Sequence, residues 1–372
     1  MLTNTKKSNK RNHDKLIFYP AFLLLLTGLI MVLSSSSYHA LLYYDNPYYF
    51  FEKQVFFAGI GFISLLIFSK IDYRKLKNLV SILFILTIVL LLLVIVPGVG
   101  VTIKGASRWL DIFGFRFSPS DLAKVALVFI VAAELSVKKF NNQNLLRATI
   151  YLAIVSGLIA KQPDLGTALT IAATYLLMIF SSGAHKLYLL FLTLLSGTLA
   201  TIYVFLGDYR LRRVTGFLNP WDNPVGDGFQ IIQSLYAFAY GGLFGVGIGN
   251  SRQKLLHLPE RHTDFILSII GEEAGFFGIL FIIALYTIFA LRGFRTAYYC
   301  KDLFGKFLSV GITSMISVQA IINIGVATGS MPVTGIALPL VSYGGSSLFF
   351  TLSAIGVLLN ISSQTENEKS QK

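Results

Sequence analysis

The sequence predicts an all-α, polytopic integral membrane protein with about ten transmembrane helices and a large extracytoplasmic loop between the seventh and eighth. Three observations predict it. The 372 residues are 54% hydrophobic and 14% aromatic with only 13% charged, about half the charged share of an ordinary soluble domain. Ten apolar runs match roughly 30 Å of hydrocarbon. Residues 207–264 then separate two of these runs, far more than a structureless connection normally holds.

Taken in order, the runs are 16–37, 54–69, 78–96, 120–136, 148–162, 165–182, 187–206, 265–290, 307–329 and 346–361. The first follows a basic lead of Lys6, Lys7, Lys10, Arg11 and Lys15. Its length and the polar Ser34–Tyr38 stretch, which offers no small-residue cleavage site, make it a retained helix rather than a signal peptide. Residues 1–15 and 362–372 are expected to be cytoplasmic tails, polar and disordered. Residues 16–361 form one membrane domain. With both termini cytoplasmic, the inner segments hold 19 of the 31 Lys and Arg residues, as the positive-inside bias requires. Most of the others fall in two outer segments, 101–124 and 207–263. The net charge of +13 therefore reflects topology and anionic membrane lipids, not nucleic acid. Cys300 is the only cysteine, which excludes an intrachain disulfide and a thiolate metal site.

The long loop opens with GDYRLRRVTGFLNPWDNPVGDG, where Pro220, Pro224 and four glycines argue against a regular helix. It continues with FQIIQSLYAFAYGG, apolar at helical spacing and suited to the membrane surface. The glycines of GGLFGVGIGN lie in no strand–turn–helix unit, so they signal a close-packing re-entrant turn rather than a dinucleotide site.

Asp264 opens the eighth run, where a carboxylate can cap a helix. It also follows Arg261 and His262 and ends a loop holding Arg210, Arg212, Arg213, Arg252 and Lys254. A carboxylate between apolar residues and cations is the setting that tunes a general base. Glu260 is a rival, made less suitable by Pro259 and its solvated loop position. Glu272 and Glu273 lie about 12 Å deeper at 1.5 Å per residue. One is expected to pair with a buried cation and the other to line a polar path.

The second cationic outer segment, KGASRWLDIFGFRFSPSDLAK, offers Lys104, Arg108 and Arg116 to phosphate and Trp109 to a sugar face. The same residues suit a headgroup anchor. Ser120 fits an N-cap, Asp121 and Lys124 share a helix face, and Lys124 is placed to snorkel outward. KQPDLGT (161–167) and SMPVTGIALPLVSYGGSS (330–347) break two helix ends. Non-helical backbone at that depth needs a polar cavity, here one open to the outer face.

The order KGASRW, FSPSDLAK, QPDLGTA, RRVTGFLNPW, GIGNSRQKLLHLPERHTDFI, GEEAGFFG and LPLVSYGGSS resembles the SEDS family, the FtsW and RodA proteins of bacterial cell-wall synthesis, over about residues 16–361. NPWDNPVGDGFQ, GIGNSRQK and LPERHTDFI look closer to the FtsW branch, which serves division. The resemblance implies a peptidoglycan glycosyltransferase that polymerises lipid II at the outer face of the cytoplasmic membrane, at the division septum. A lipid II flippase, or a RodA-like role in elongation, is the alternative. The resemblance places the family's essential loop aspartate on Asp264, its substrate-site pair on Arg108 and Trp109, and its buried acid–lysine pair on Asp121 and Lys124. The family commonly has Glu at the first of that pair. Arg108, Lys124, Arg213 and Arg252 are then the candidate pyrophosphate holders, with a divalent cation (Mg²⁺ or Mn²⁺) as assistant and no organic cofactor. A class B penicillin-binding protein and other divisome proteins are the implied partners.

Overall fold

A computed structural model describes residues 14–103, 106–112, 114–137, 141–255 and 257–370. All ten apolar runs are helical: α1 (Lys15–Tyr44), α2 (Tyr49–Lys70), a short α3 (Tyr73–Leu76) leading into α4 (Val80–Ile95), α5 (Pro119–Leu135), α6 (Asn142–Lys161), α7 (Leu165–Ser181) and α8 (Lys186–Phe205), then α11 (Ile266–Tyr299), α12 (Leu303–Ala327) and α13 (Gly345–Ser370). The long loop contributes α9 (Asp208–Leu218) and α10 (Phe229–Gly241). Among the described residues, eight segments are long and apolar enough to cross a membrane. The remaining two runs, α5 and α7, have 17 residues each. From Pro119 to Ala132, α5 is buried at all but Asp121. A helix surrounded by other helices needs no lipid-compatible face, so it can carry Asp121, Lys124 and Glu134.

Local chemistry sets several helix ends. Asp14 caps α1 by accepting the Leu16 N–H at 2.9 Å. Asn141 and Asn144 form a reciprocal capping box on α6, and Asp302 caps α12 through the Gly305 N–H at 2.9 Å. Three sequence expectations need correction. Ser118 is the N-cap of α5 and Pro119 its first residue, so Ser120 lies inside the helix, as proline's fixed φ favours. α13 continues to Ser370, so most of the expected C-terminal tail extends the last helix. The DYRLRRVTGFL stretch is helical because its prolines fall only after Leu218. The all-α architecture also carries a small antiparallel sheet of β1 (Gly100–Ile103), β2 (Ala106–Ile112) and β3 (Phe115–Phe117), in that order.

The chain runs up and down, so the connections after α1, α4, α6, α8 and α12 meet at one end of the bundle. Contacts across these connections confirm it: Arg108 reaches Gln162, Arg213 reaches Val333, and Tyr343 bonds the His262 carbonyl. α10 does more than lie on a surface, since Ile231, Ile232, Ser234 and Ala237 are buried. The Ser234 hydroxyl bonds Ser268 of α11 at 2.6 Å.

Candidate functional site

The irregular stretch between α12 and α13 forms a strap across this end, and buried amides bolt it down. Gln54 of α2 donates to the Ser342 carbonyl at 3.1 Å and accepts the Gly344 N–H at 3.2 Å. On α12, Gln319 donates to the Ala337 carbonyl at 2.8 Å, and Asn323 donates to the Ile336 carbonyl at 2.7 Å. The second Asn323 N–H reaches the Asp264 carbonyl at 2.7 Å. The Ser342 hydroxyl reaches the Thr263 carbonyl at 2.5 Å. Unpaired backbone in such a place would be costly, and these side chains remove that cost.

Just before these anchors lies Gly335, with φ at 77°. A Cβ built there would sit 3.7 Å from Asp264 Oδ2 and 3.9 Å from Arg108 Nη1, and among the described residues no third atom from elsewhere comes within 4 Å. The half-buried Asp264 carboxylate and the Arg108 guanidinium thus face one point. Asp264 precedes α11, whose N-cap position is Phe265.

Arg108 owes its reach to a β-bulge. Ser107 pairs with Thr102 and Trp109 with Val101, leaving Arg108 as the extra residue, the device by which a strand re-aims a side chain. Its Nε donates to the Gln162 carbonyl at 3.3 Å and its Nη2 to the Pro163 carbonyl. Nη1 lies 3.6 Å from Asp164 Oδ1. Asp164 also accepts the Thr167 N–H as the N-cap of α7. Trp109 follows in β2 and is half-buried. Arg213 donates to the Val333 carbonyl at 3.1 Å and to the Tyr209 hydroxyl at 2.5 Å, so its guanidinium borders the strap two residues from Gly335. Arg116 is exposed in β3, and Lys104 lies outside the described residues.

Lys124 does not snorkel. Its ammonium is buried, 3.0 Å from Asp121 Oδ1 and 2.8 Å from Gln319 Oε1, while Ser346 donates to Asp121 Oδ2 at 2.8 Å. An ammonium with two such partners below the strap is better bonded there than stretched toward water. Through Gln319, which also holds the Ala337 carbonyl, it is tied to the strap.

Glu272 and Glu273 both turn out to fasten the loop. Glu273 is 1% exposed, accepts from Ser34 at 2.7 Å and pairs with Lys254 at 3.0 Å. Glu272 accepts the Ser251 hydroxyl and the N–H groups of Arg252 and Gln253. Neither is engaged as the lining of an open path. Arg252 is exposed and contributes its backbone here; its side chain is absent from the point above Gly335. One turn on, Gly275 (φ 69°, ψ −166°) interrupts α11. The loop repairs the interruption: Val246 and Gly247 donate to the Glu272 and Glu273 carbonyls, and the Gly242 and Leu243 carbonyls accept from Phe276 and Phe277. This is the close-packed turn that the glycines signalled.

The neighbours of Asp264 in the chain are held as well. Arg261 is 5% exposed and donates to the Leu258 carbonyl. Burial pushes its guanidinium below its ordinary pKa, with the Glu260 carboxylate opposing. The Glu260 carboxylate accepts the Thr263 hydroxyl at 3.0 Å, so it is tied into its own turn.

Of the residues singled out from sequence, the structure brings Asp264 and Arg108 together over Gly335 and sets Arg213 at the border of the strap. Sequence reasoning missed Gln54, Asp164, Gln319, Asn323 and Gly335. The signal for two of these was present: Gln319 and Asn323 are amides four residues apart in an otherwise apolar span, hence on one helix face.

The fold and site define a multi-pass helical membrane protein with an acid–cation pair under a strap at one end of the bundle. Residues 14–367 match the family model for FtsW, RodA and SpoVE, described as "Cell cycle protein", and the chain belongs to that family. It is 45% identical over 315 residues to Stage V sporulation protein E of Bacillus subtilis, covering 84% of this chain and 86% of that one. It is 43% identical over 317 residues to the Probable peptidoglycan glycosyltransferase FtsW of Geobacter metallireducens, covering 84% of each. A solved structure described as "Structural coordination of polymerization and crosslinking by a peptidoglycan synthase complex" matches with a TM-score of 0.78 and 30% identity, over 95% of this chain and 98% of that one.

Proposed function

We propose that this chain is a peptidoglycan glycosyltransferase of the FtsW type that polymerises lipid II, with Asp264 as the general base. The observation carrying the proposal is the convergence of Asp264 Oδ2 and Arg108 Nη1 on one point over Gly335. In the reaction, the 4-hydroxyl oxygen of the acceptor GlcNAc bonds to the donor sugar's C1 and gives its proton to Asp264. The bond from C1 to the pyrophosphate oxygen breaks, and its electron pair leaves with the undecaprenyl pyrophosphate. Arg108 meets that growing negative charge; Arg213, beside the strap, and the exposed Arg252 are the further candidates. Trp109 is assigned to the sugar face. Lys124 and Asp121 hold the strap-side framework instead of touching phosphate.

A divalent cation fits only as a companion of the substrate. Among the described residues no three His, Cys, Asp or Glu side chains converge on a metal position, and Mg²⁺ is often held by one or two carboxylates plus phosphate oxygens. The steps above do not require it. The Lys and Arg bias supports cytoplasmic termini and a site at the outer boundary, where a class B penicillin-binding protein would cross-link the product at the septum. The test is to incubate purified protein, with and without such a partner, with labelled lipid II and to size the glycan. Asp264→Ala should insert and fold but make no polymer; a full yield from that variant would remove the assignment.

A further inference from the structure

We infer that Asn323 is a positioning residue that fixes the distance between the catalytic carboxylate and the strap, with Gln319 as its companion one turn away. The inference rests on the reading of Asp264 as the base.

Asn323 is 1% exposed, in the last turns of α12 beneath the strap. Its two amide hydrogens go to two different pieces of backbone, the Asp264 and Ile336 carbonyls, both at 2.7 Å. Two carbonyl acceptors settle which end of the amide is nitrogen, since an amide oxygen there would face two acceptors. Gln319 is oriented by the same logic: its oxygen accepts from Lys124 at 2.8 Å and its nitrogen donates to the Ala337 carbonyl at 2.8 Å. Two side chains on one face of α12 therefore take two consecutive strap carbonyls. One carries the strap to Asp264, and the other carries it to the Lys124–Asp121 pair.

The geometry matters because Gly335 precedes these carbonyls directly. The point shared by Asp264 and Arg108 lies over Gly335, so its width depends on where residue 336 is held relative to residue 264. Among the described residues, Asn323 is the side chain bonded to both. Its two bonds go to backbone carbonyls, so its effect runs through backbone position. Misplacement of a reacting group by about 1 Å can cost a hundredfold in rate.

The test compares Asn323→Leu, which keeps the shape and removes both donors, with the unchanged protein, with Asp264→Ala and with the double variant. Purified proteins are assayed on labelled lipid II after the folded fraction has been measured by thermal unfolding. The expected result is a kcat per folded molecule lowered at least tenfold with KM within about twofold, and no further loss when Asn323→Leu is added to Asp264→Ala. A purely structural role would lower the folded fraction while leaving kcat per folded molecule intact, and that outcome overturns the inference. Should Asp264→Ala retain polymerisation, the general-base reading fails. Should Asp264→Ala be inactive while Asn323→Leu turns over normally, only the positioning role fails.

Discussion

Replacing Lys254 by Met leaves the Glu273 carboxylate without its cation, in a place where it is 1% exposed. Removing one member of a buried ion pair costs about 3–5 kcal/mol, because the remaining charge loses its partner without regaining water. Glu273 keeps two further donors, the Ser34 hydroxyl at 2.7 Å and the Ser251 N–H at 3.4 Å. The lower end of that range therefore applies, about 3 kcal/mol, or roughly two orders of magnitude in the folded-to-unfolded ratio. The half-buried Cys300 is the chain's only cysteine, so a thiol-reactive dye reports unfolding in detergent from a single position. The apparent midpoint should fall clearly for Lys254→Met and recover most of the way when Glu273→Gln is added, since the double change removes both charges. An unchanged midpoint for the single variant would show that the pair is not the clamp described.

Further outcomes follow from the same geometry. Gly275→Ala would place a Cβ 2.4 Å from the Gly245 nitrogen and 2.5 Å from the Leu243 oxygen, at a φ of 69°. Backbone cannot yield as a side chain can, so a loss of about 2–5 kcal/mol is expected in the same dye assay. Gly335→Ala has room for its methyl and only the strain of φ 77°, about 1–2 kcal/mol. It should fold and insert yet lose at least tenfold in lipid II turnover, because the methyl occupies the reaction point. Arg108→Lys cannot reproduce the bonds to Gln162, Pro163 and Asp164 together; polymerisation should fall about a hundredfold, and near-normal turnover would exclude Arg108 from the site.

Much of this was legible in the chain because hydrocarbon is a severe solvent. Ten apolar runs became ten helices, and the cations at 101–124 and 207–263 marked the end where Arg108, Arg213 and Asp264 gather. What stayed hidden depends on long-range register. The bulge that turns Arg108 inward arises from how Val101 and Thr102 pair across the sheet, and no local pattern announces it. Lys124 read as a snorkelling residue because periodicity gives depth but not neighbours; its partner Gln319 is 195 residues away. Glu272 and Glu273 looked like a pair with divided roles, since helical spacing sets them apart in angle. The loop wraps both, which spacing along one helix cannot reveal.

The patch that closes the gap in α11 has a bearing on how the chain is made. Glu272 and Glu273 acquire their donors from residues 246–254 and from Ser34, 239 positions earlier than Glu273. The ribosome delivers those donors before it delivers the acids. Threading this helix into lipid alone would strand two carboxylates and several peptide groups in oil, whereas the first span and the long loop carry the groups that meet them.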